Sequence, residues 1–204
     1  MPDDERLVTA LWIVQAHCFQ HFDFSGYLAI SSPEKQCGKT TLLELIELLV
    51  PRPFPYITPS EAVMFRHIHN VKPTVLLDEV DAIFSPKNAD RYEGLRAILN
   101  AGFKDGASVP RCKPPSMKIV QYDVYSPKVL AGIGTLPDTI ADRSFPIRMQ
   151  KKTRDERVER FRVREAKVTS APLREALATW AEAVAGRVAL LQRKLDVQRR
   201  RIRA

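Results

Sequence analysis

Gly38, Lys39 and Thr40 stand in the segment SPEKQCGKTT (residues 32–41), and Asp78 and Glu79 close the apolar run TVLLDE (residues 74–79). These residue types suit phosphoryl chemistry. A turn whose backbone N–H groups point inward can cradle phosphate oxygens, and the dipole of a helix starting there favours the anion. Gly38 permits close backbone approach, Lys39 supplies a compact charge to the β and γ phosphates, and Thr40 supplies a hydroxyl ligand for Mg²⁺. The whole loop, Pro33, Glu34, Lys35, Gln36, Cys37, Gly38, Lys39, Thr40 and Thr41, is the expected nucleotide cradle. Asp78 is expected to hold the metal through its water ligands. Glu79, pointing the other way along the pleat, is expected to orient and deprotonate an attacking water. An adjacent Asp-Glu pair fits hydrolysis rather than transfer to a bound acceptor, so ATP and Mg²⁺ are the expected cofactors. One departure stands out: Pro33 occupies the place of the first glycine in the usual loop, and its fixed φ and missing N–H imply a different loop entrance.

The elements that must position these residues follow from periodicity. Leu7, Leu11, Val14 and Cys18 predict a helix over 4–22, and YLAIS predicts a buried strand over 27–31. A leucine-rich helix over 40–50 ends at Pro51, Pro53 and Pro55, before a short strand at 56–58. A further helix begins near Ser60, capped by Thr58 or Ser60. The run 74–79 is continuously apolar until its carboxylates, as a strand buried on both faces of a parallel sheet should be. Asp81, just beyond it, reads as a helix-start or turn residue. A helix over 90–100 stops near Gly102, and 105–126 reads as a hairpin-like insertion or a long surface loop. A buried strand over 128–134, a helical turn over 138–143 and a last strand over 145–149 complete the expected elements. The fold class is therefore α/β: a three-layer P-loop NTPase domain with a parallel sheet of about five strands over 1–150, followed by a basic helical region over 151–204.

Composition fits a soluble globular chain, with 45% hydrophobic and 27% charged residues among 204. The acidic opening MPDDERLV lacks the basic start of a secretory signal, and no apolar run is long enough for a membrane span. Three cysteines make no disulfide framework, so a cytoplasmic setting without membrane contact is expected. The net charge of +8 is uneven: residues 151–204 hold 16 Lys and Arg against 7 Asp and Glu, leaving 1–150 close to neutral. That block suggests an anionic partner, nucleic acid first and DNA ahead of RNA, or else a solvated helix face. Leu173, Leu177, Trp180, Val184, Val188, Leu191 and Leu195 form one amphipathic stripe, so this region should pack against something. His17, Cys18 and His21 lack a fourth metal ligand, and core packing is the expected role of His17 and Cys18.

The strand and helix between loop and acidic strand resemble the RecA-like and AAA+-like branch of P-loop proteins. That resemblance implies a third strand, here 129–134, between the loop strand and the acidic strand. It also implies a polar sensor at the end of that strand, for which Thr135 is the candidate unless it merely starts the next turn. Arg143, in LPDTIADRSFPIRM, takes the place of an arginine that completes a neighbouring subunit's site. The local alternative is an ion pair with Asp138 or Asp142, and Arg148 is a second choice for the role. Several ring helicases carry a DNA-contacting hairpin at the position of 105–126, which would set Arg111 and Lys113 near its tip.

Taken together, SPEKQCGKTTLLELIELLV, LLDEVDAIF, LRAILNAG and KVLAGIGTLPDTIADRSFPIR resemble a P-loop domain of unknown function found in actinobacterial and phage proteins. In many of those it is joined to a primase-polymerase or helicase-like region. The resemblance covers roughly residues 5–165. It implies a mobile-element or replication setting and a homo-oligomeric ATPase coupled to nucleic acid, helicase-like or loader-like. Two other readings of the same residues are a nucleotide-dependent binding switch and a nucleic-acid adaptor with a vestigial loop.

Overall fold

Val75, Leu76 and Leu77 are each almost completely buried, which is possible only where helices cover both faces of their strand. The computed structural model describes residues 1–203 except 57–59, 114, 116, 154, 157 and 158, and their side chains except 113, 193 and 195–203. In chain order the elements are α1 (Asp3–His17), β1 (Tyr27–Ser32), α2 (Lys39–Leu49), β2 (Pro53–Tyr56), α3 (Glu61–Val71), β3 (Thr74–Leu77) and α4 (Val80–Phe84). There follow α5 (Glu93–Ala101), β4 (Ser108–Lys113), β5 (Lys118–Asp123), β6 (Lys128–Ile133), α6 (Asp138–Ala141), β7 (Ser144–Arg148) and α7 (Val163–Arg203).

Five strands form one parallel sheet in the order β2-β3-β6-β1-β7, and β4 pairs with β5 as a separate antiparallel hairpin. The acidic strand β3 is thus separated from the loop strand β1 by β6, as expected. Alternate side chains divide between two cores. Leu28, Ile30, Leu76, Val129 and Ile147 pack with Trp12, Leu42 and Ile46 of α1 and α2. Tyr27, Val75, Leu77 and Leu130 pack with Met64, Ile68, Leu95 and Ile98 of α3 and α5. The result is a three-layer α/β architecture around a five-stranded parallel sheet, the fold class expected.

Several boundaries differ from the expectation. The first helix ends at His17 and continues as a short turn at Phe19–His21. The strand expected at 56–58 lies at Pro53–Tyr56, while 57–58 fall outside the described residues. Pro53 and Pro55 are tolerated there because β2 is an edge strand with free N–H positions. Ser60 caps α3, its Oγ accepting from the Val63 N–H at 3.3 Å; Thr58 lies outside the described residues. The helix expected at 90–100 is α5, preceded by a short helical turn at Asp90–Tyr92. His17 and Cys18 pack as expected: Cys18 is buried, and His17 Nε2 donates to the Leu49 carbonyl at 2.8 Å.

Two features correct or extend the sequence reading more substantially. α7 lies against α1 and α2, but through Leu177, buried Ala181, Val184 and Val188, whereas Leu173, Trp180 and Leu191 of the expected stripe are exposed. Small residues at 181, 185 and 189 set the inward face, so the bulkiest side chains do not mark it; the Leu195 side chain lies outside the described set. The strand expected to be buried over 128–134, β6, is buried from Lys128 to Gly132, and what the sequence reading did not address is how its first residue, a wholly buried lysine, is held. Lys128 Nζ donates to the carbonyls of Gly102 (2.9 Å), Val124 (3.0 Å) and Ser126 (3.0 Å). Gly102 is needed for that approach, since a Cβ there would lie 2.5 Å from Nζ. Burial lowers the Lys128 pKa well below the ordinary lysine value; Lys72 acts in the same direction and Asp123 against it. Among the described residues no helix is long and apolar enough to cross a membrane.

Candidate nucleotide-binding site

The parallel sheet directs the ends of β1, β3 and β6 to one edge, where the turns that follow them meet. After β1 the chain turns through Gln36 (φ 63°) and Gly38 (φ 86°), both left-handed, and enters α2 at Lys39. The conformation costs glycine little, but at Gln36 it stores strain of order 1–3 kcal/mol, as functional loops often do. A Cβ at Gly38 would also stand 3.4 Å from the Met149 methyl, so Met149 closes one side of the loop. The N–H groups of Lys39, Thr40 and Thr41, in the first turn of α2, have no intrahelical acceptor and remain available to an anion.

Within the loop, Ser32 Oγ donates to the Glu34 carbonyl at 2.6 Å and accepts from Lys39 Nζ at 2.5 Å. Lys39 Nζ also reaches the Glu34 carbonyl at 3.5 Å. Cys37 is buried, with its thiol toward the Glu34 carbonyl at 3.4 Å, and Lys151 lies 3.9 Å from the Glu34 carboxylate. Pro33 needs no hydrogen-bond acceptor, so Ser32 beside it takes over the organisation of the loop entrance. Lys35 adds a backbone carbonyl on the same thiol, at 3.7 Å.

Thr40 Oγ1 donates to Asp78 Oδ2 at 3.3 Å, joining the start of α2 to the end of β3. The Glu79 N–H donates to Asp78 Oδ1 at 2.9 Å. Glu79 itself is left-handed (φ 57°) and exposed, standing at the start of α4 without a capping bond from its side chain. A hydroxyl and a carboxylate at this separation are hard oxygen ligands of the kind Mg²⁺ takes, usually with several waters retained. Asp81, in the first turn of α4, accepts from the Ile133 N–H at 3.1 Å. Thr135 follows the left-handed Gly134 and lines a narrow cleft with Ser31, Asp81 and Gly132, so it reaches this edge too.

Arg143 does not. Its carbonyl accepts from the Tyr27 N–H at 2.8 Å, at the amino end of β1. Five strand residues at about 3.3 Å each place the loop roughly 17 Å away. The Arg143 Nη1 donates to the Asn100 carbonyl at 2.6 Å, and the guanidinium lies 4.4 Å from the Phe103 ring centroid. Among the described residues it forms no ion pair with Asp138 or Asp142. Arg148 is level with Ser31 at the loop end of β7, with its side chain exposed and its N–H on Glu5 at 3.2 Å.

The insertion at 105–126 is the hairpin β4–β5, laid along α3 through Phe65 and Tyr122. Arg111 stands near its tip, but Nε donates to Glu61 Oε1 at 2.6 Å, Nη2 reaches the same oxygen, and the guanidinium covers the Phe65 ring. The Lys113 side chain lies outside the described residues. Sequence reasoning missed Ser32, Asp81 and Glu61 as site-organising groups. Ser32 was open to inference, being the hydroxyl next to Pro33. Glu61 and Arg111 are 50 residues apart and carry no local signal.

No protein-family model matches the chain, and no curated protein matches it. The resemblance to the actinobacterial and phage domain therefore rests on the quoted motifs. Among solved structures, an X-ray structure of JCV helicase aligns with 14% identity and a TM-score of 0.49, over 97% of this chain and 57% of that one. A JCV helicase bound to a thiazolopyridine compound aligns with 15% identity and a TM-score of 0.48, over 97% and 58%. The chain thus spans a little over half the length of the helicase chains it is similar to.

Proposed function

We propose that the chain binds ATP with Mg²⁺ and hydrolyses it, within a homo-oligomer coupled to nucleic acid. The observation that carries the reading is the meeting of Thr40 and Asp78, 3.3 Å apart at the start of α2, beside Lys39. Mg²⁺, when bound, would supply neutralisation of phosphate charge. The first-turn N–H groups of α2 receive the phosphates, and Lys39 exchanges Ser32 Oγ for a phosphate oxygen. Thr40 would supply the metal a hydroxyl ligand, and Asp78 would hold it through its water ligands. Glu79 takes the proton of the attacking water, and Thr135, in the cleft it shares with Ser31 and Asp81, is the proposed polar contact to the γ phosphate. Arg143 lies too far from its own chain's loop to act there, which fits a role in a neighbour's site. Arg111 and Lys113 of the hairpin are the proposed contacts to nucleic-acid phosphates, in a replication setting of helicase or loader type.

A second reading, a nucleotide-dependent switch with little turnover, draws on the internal partners of two functional cations: Lys39 on Ser32 and Arg111 on Glu61. The test is Mg²⁺-dependent ATP hydrolysis with and without single-stranded DNA, at low and moderate salt, for wild type, Lys39→Ala and Glu79→Gln. A motor shows DNA-stimulated turnover that is lost in Lys39→Ala, and that falls about 10²–10⁴-fold in Glu79→Gln while ATP is still bound. Absence of turnover in a folded, assembled wild type would sink hydrolysis and leave the switch.

A further inference from the structure

β3 ends at Leu77, which pairs with Leu130, so β6 runs on past it without a strand neighbour on that side. Toward β1 the ladder continues, and the Gly134 N–H donates to the Ser32 carbonyl at 3.3 Å. Successive N–H groups of a strand point to opposite sides, so the Ile133 N–H faces the gap beyond β3. Ile133 is exposed, so an N–H without a ladder partner there turns either to water or to a nearby side chain. Asp81 Oδ1 provides it at 3.1 Å. The approach of α4 to β6 is close: a Cβ at Gly132 would stand 2.9 Å from Val80 Cγ2, 3.0 Å from Asp81 Oδ1 and 3.3 Å from the Asp81 nitrogen.

We propose that Asp81 is a positioning residue that clamps the tip of β6, residues 133–135, against the phosphate-binding loop. The inference deepens the nucleotide-site reading, and its effect on turnover rests on that reading. One side of the tip is held by Asp81 and the other by the Ser32 carbonyl, and the hydroxyl of the same serine seats Lys39 at 2.5 Å. Thr135 follows directly, in the cleft that Asp81 also lines. A carboxylate in the first turn of a helix has a local use as a dipole partner. That use needs only the charge, whereas the clamp needs an acceptor atom at Oδ1. Asparagine supplies the acceptor without the charge, and alanine supplies neither.

The experiment follows amide hydrogen exchange over 130–136 and ATP turnover in wild type, Asp81→Ala and Asp81→Asn, with Asp81→Leu, which also lacks an acceptor, in place of alanine should that variant not fold. In Asp81→Ala, Ile133 exchange should accelerate at least about tenfold, and kcat should fall about tenfold with KM changed less than about threefold, as for a small misplacement of reacting groups. Asp81→Asn should stay near wild type in both. Unchanged Ile133 exchange in the alanine variant overturns the proposal, as does an asparagine variant as impaired as alanine. A wild type that does not turn over would defeat the hydrolysis reading alone, because exchange still reports the clamp.

Discussion

The two ends of the parallel sheet both collect polar and charged side chains, yet they hold them by different partners. At the end where β1, β3 and β6 finish, Lys39, Thr40 and Asp78 are bonded chiefly to one another's neighbours through side-chain oxygens. A phosphate or a metal can replace such partners without unfolding the chain. At the opposite end Lys128 is held by three backbone carbonyls, Tyr27 Oη donates to the Leu99 carbonyl at 2.6 Å, and Tyr125 Oη contacts the carbonyls of Phe19 and Phe22. Those acceptors are fixed by the fold. Backbone strain does not follow that division: left-handed Gln36 and Glu79 stand at the loop end, and left-handed Arg52 and Lys72 at the opposite one. A lysine's place in the sequence therefore says less about its role than whether its partners can be exchanged.

Removing Lys128 sharpens the comparison most. Lys128→Ala strands two or three buried carbonyls and leaves a cavity, so urea unfolding should show a loss of about 3 kcal/mol. ATP affinity per folded molecule should be unchanged; a variant that keeps full stability but loses ATP binding would break the comparison. A smaller effect appears with pH. The folded-state pKa of Lys128 lies below the unfolded value of 10.5, so between the two the unfolded chain binds more protons. Stability should then rise with pH through that window up to the unfolded value, by at most about 1.4 kcal/mol per unit, and Lys128→Met should remove the rise. The smallest effect belongs to the hairpin. Glu61→Gln frees Arg111 from its ion pair, so single-stranded DNA should bind about threefold more tightly, with a salt dependence steeper by about one phosphate contact. Unaltered affinity and slope would remove Arg111 from the nucleic-acid surface.

Much of the loop end was legible because its chemistry is local. GKTT must open a helix, and TVLLDE carries both its burial and its carboxylates within six residues. That a third strand separates the loop strand from the acidic strand was implied by the resemblance to the RecA-like and AAA+-like branch, and the edge places of β2 and β7 came with the structure. What escaped depends on contacts between distant segments. A lysine at the start of a buried strand gives no sign of its partners until Gly102, Val124 and Ser126 supply three carbonyls around it. The inward face of α7 was obscured because its one buried residue among those described, Ala181, carries weak hydrophobic signal. Prolines 53 and 55 read as interruptions, and only the edge position of β2 makes them compatible with a strand.

The most direct measurement of the central claim is equilibrium binding of a fluorescent ATP analogue, with and without Mg²⁺, by wild type, Lys39→Ala and Lys128→Ala at equal folded concentration. Binding that depends on Mg²⁺, is lost in Lys39→Ala and survives in Lys128→Ala is the predicted result. Equal binding by wild type and Lys39→Ala, or none by a folded wild type, would contradict a nucleotide site at the loop end of the sheet.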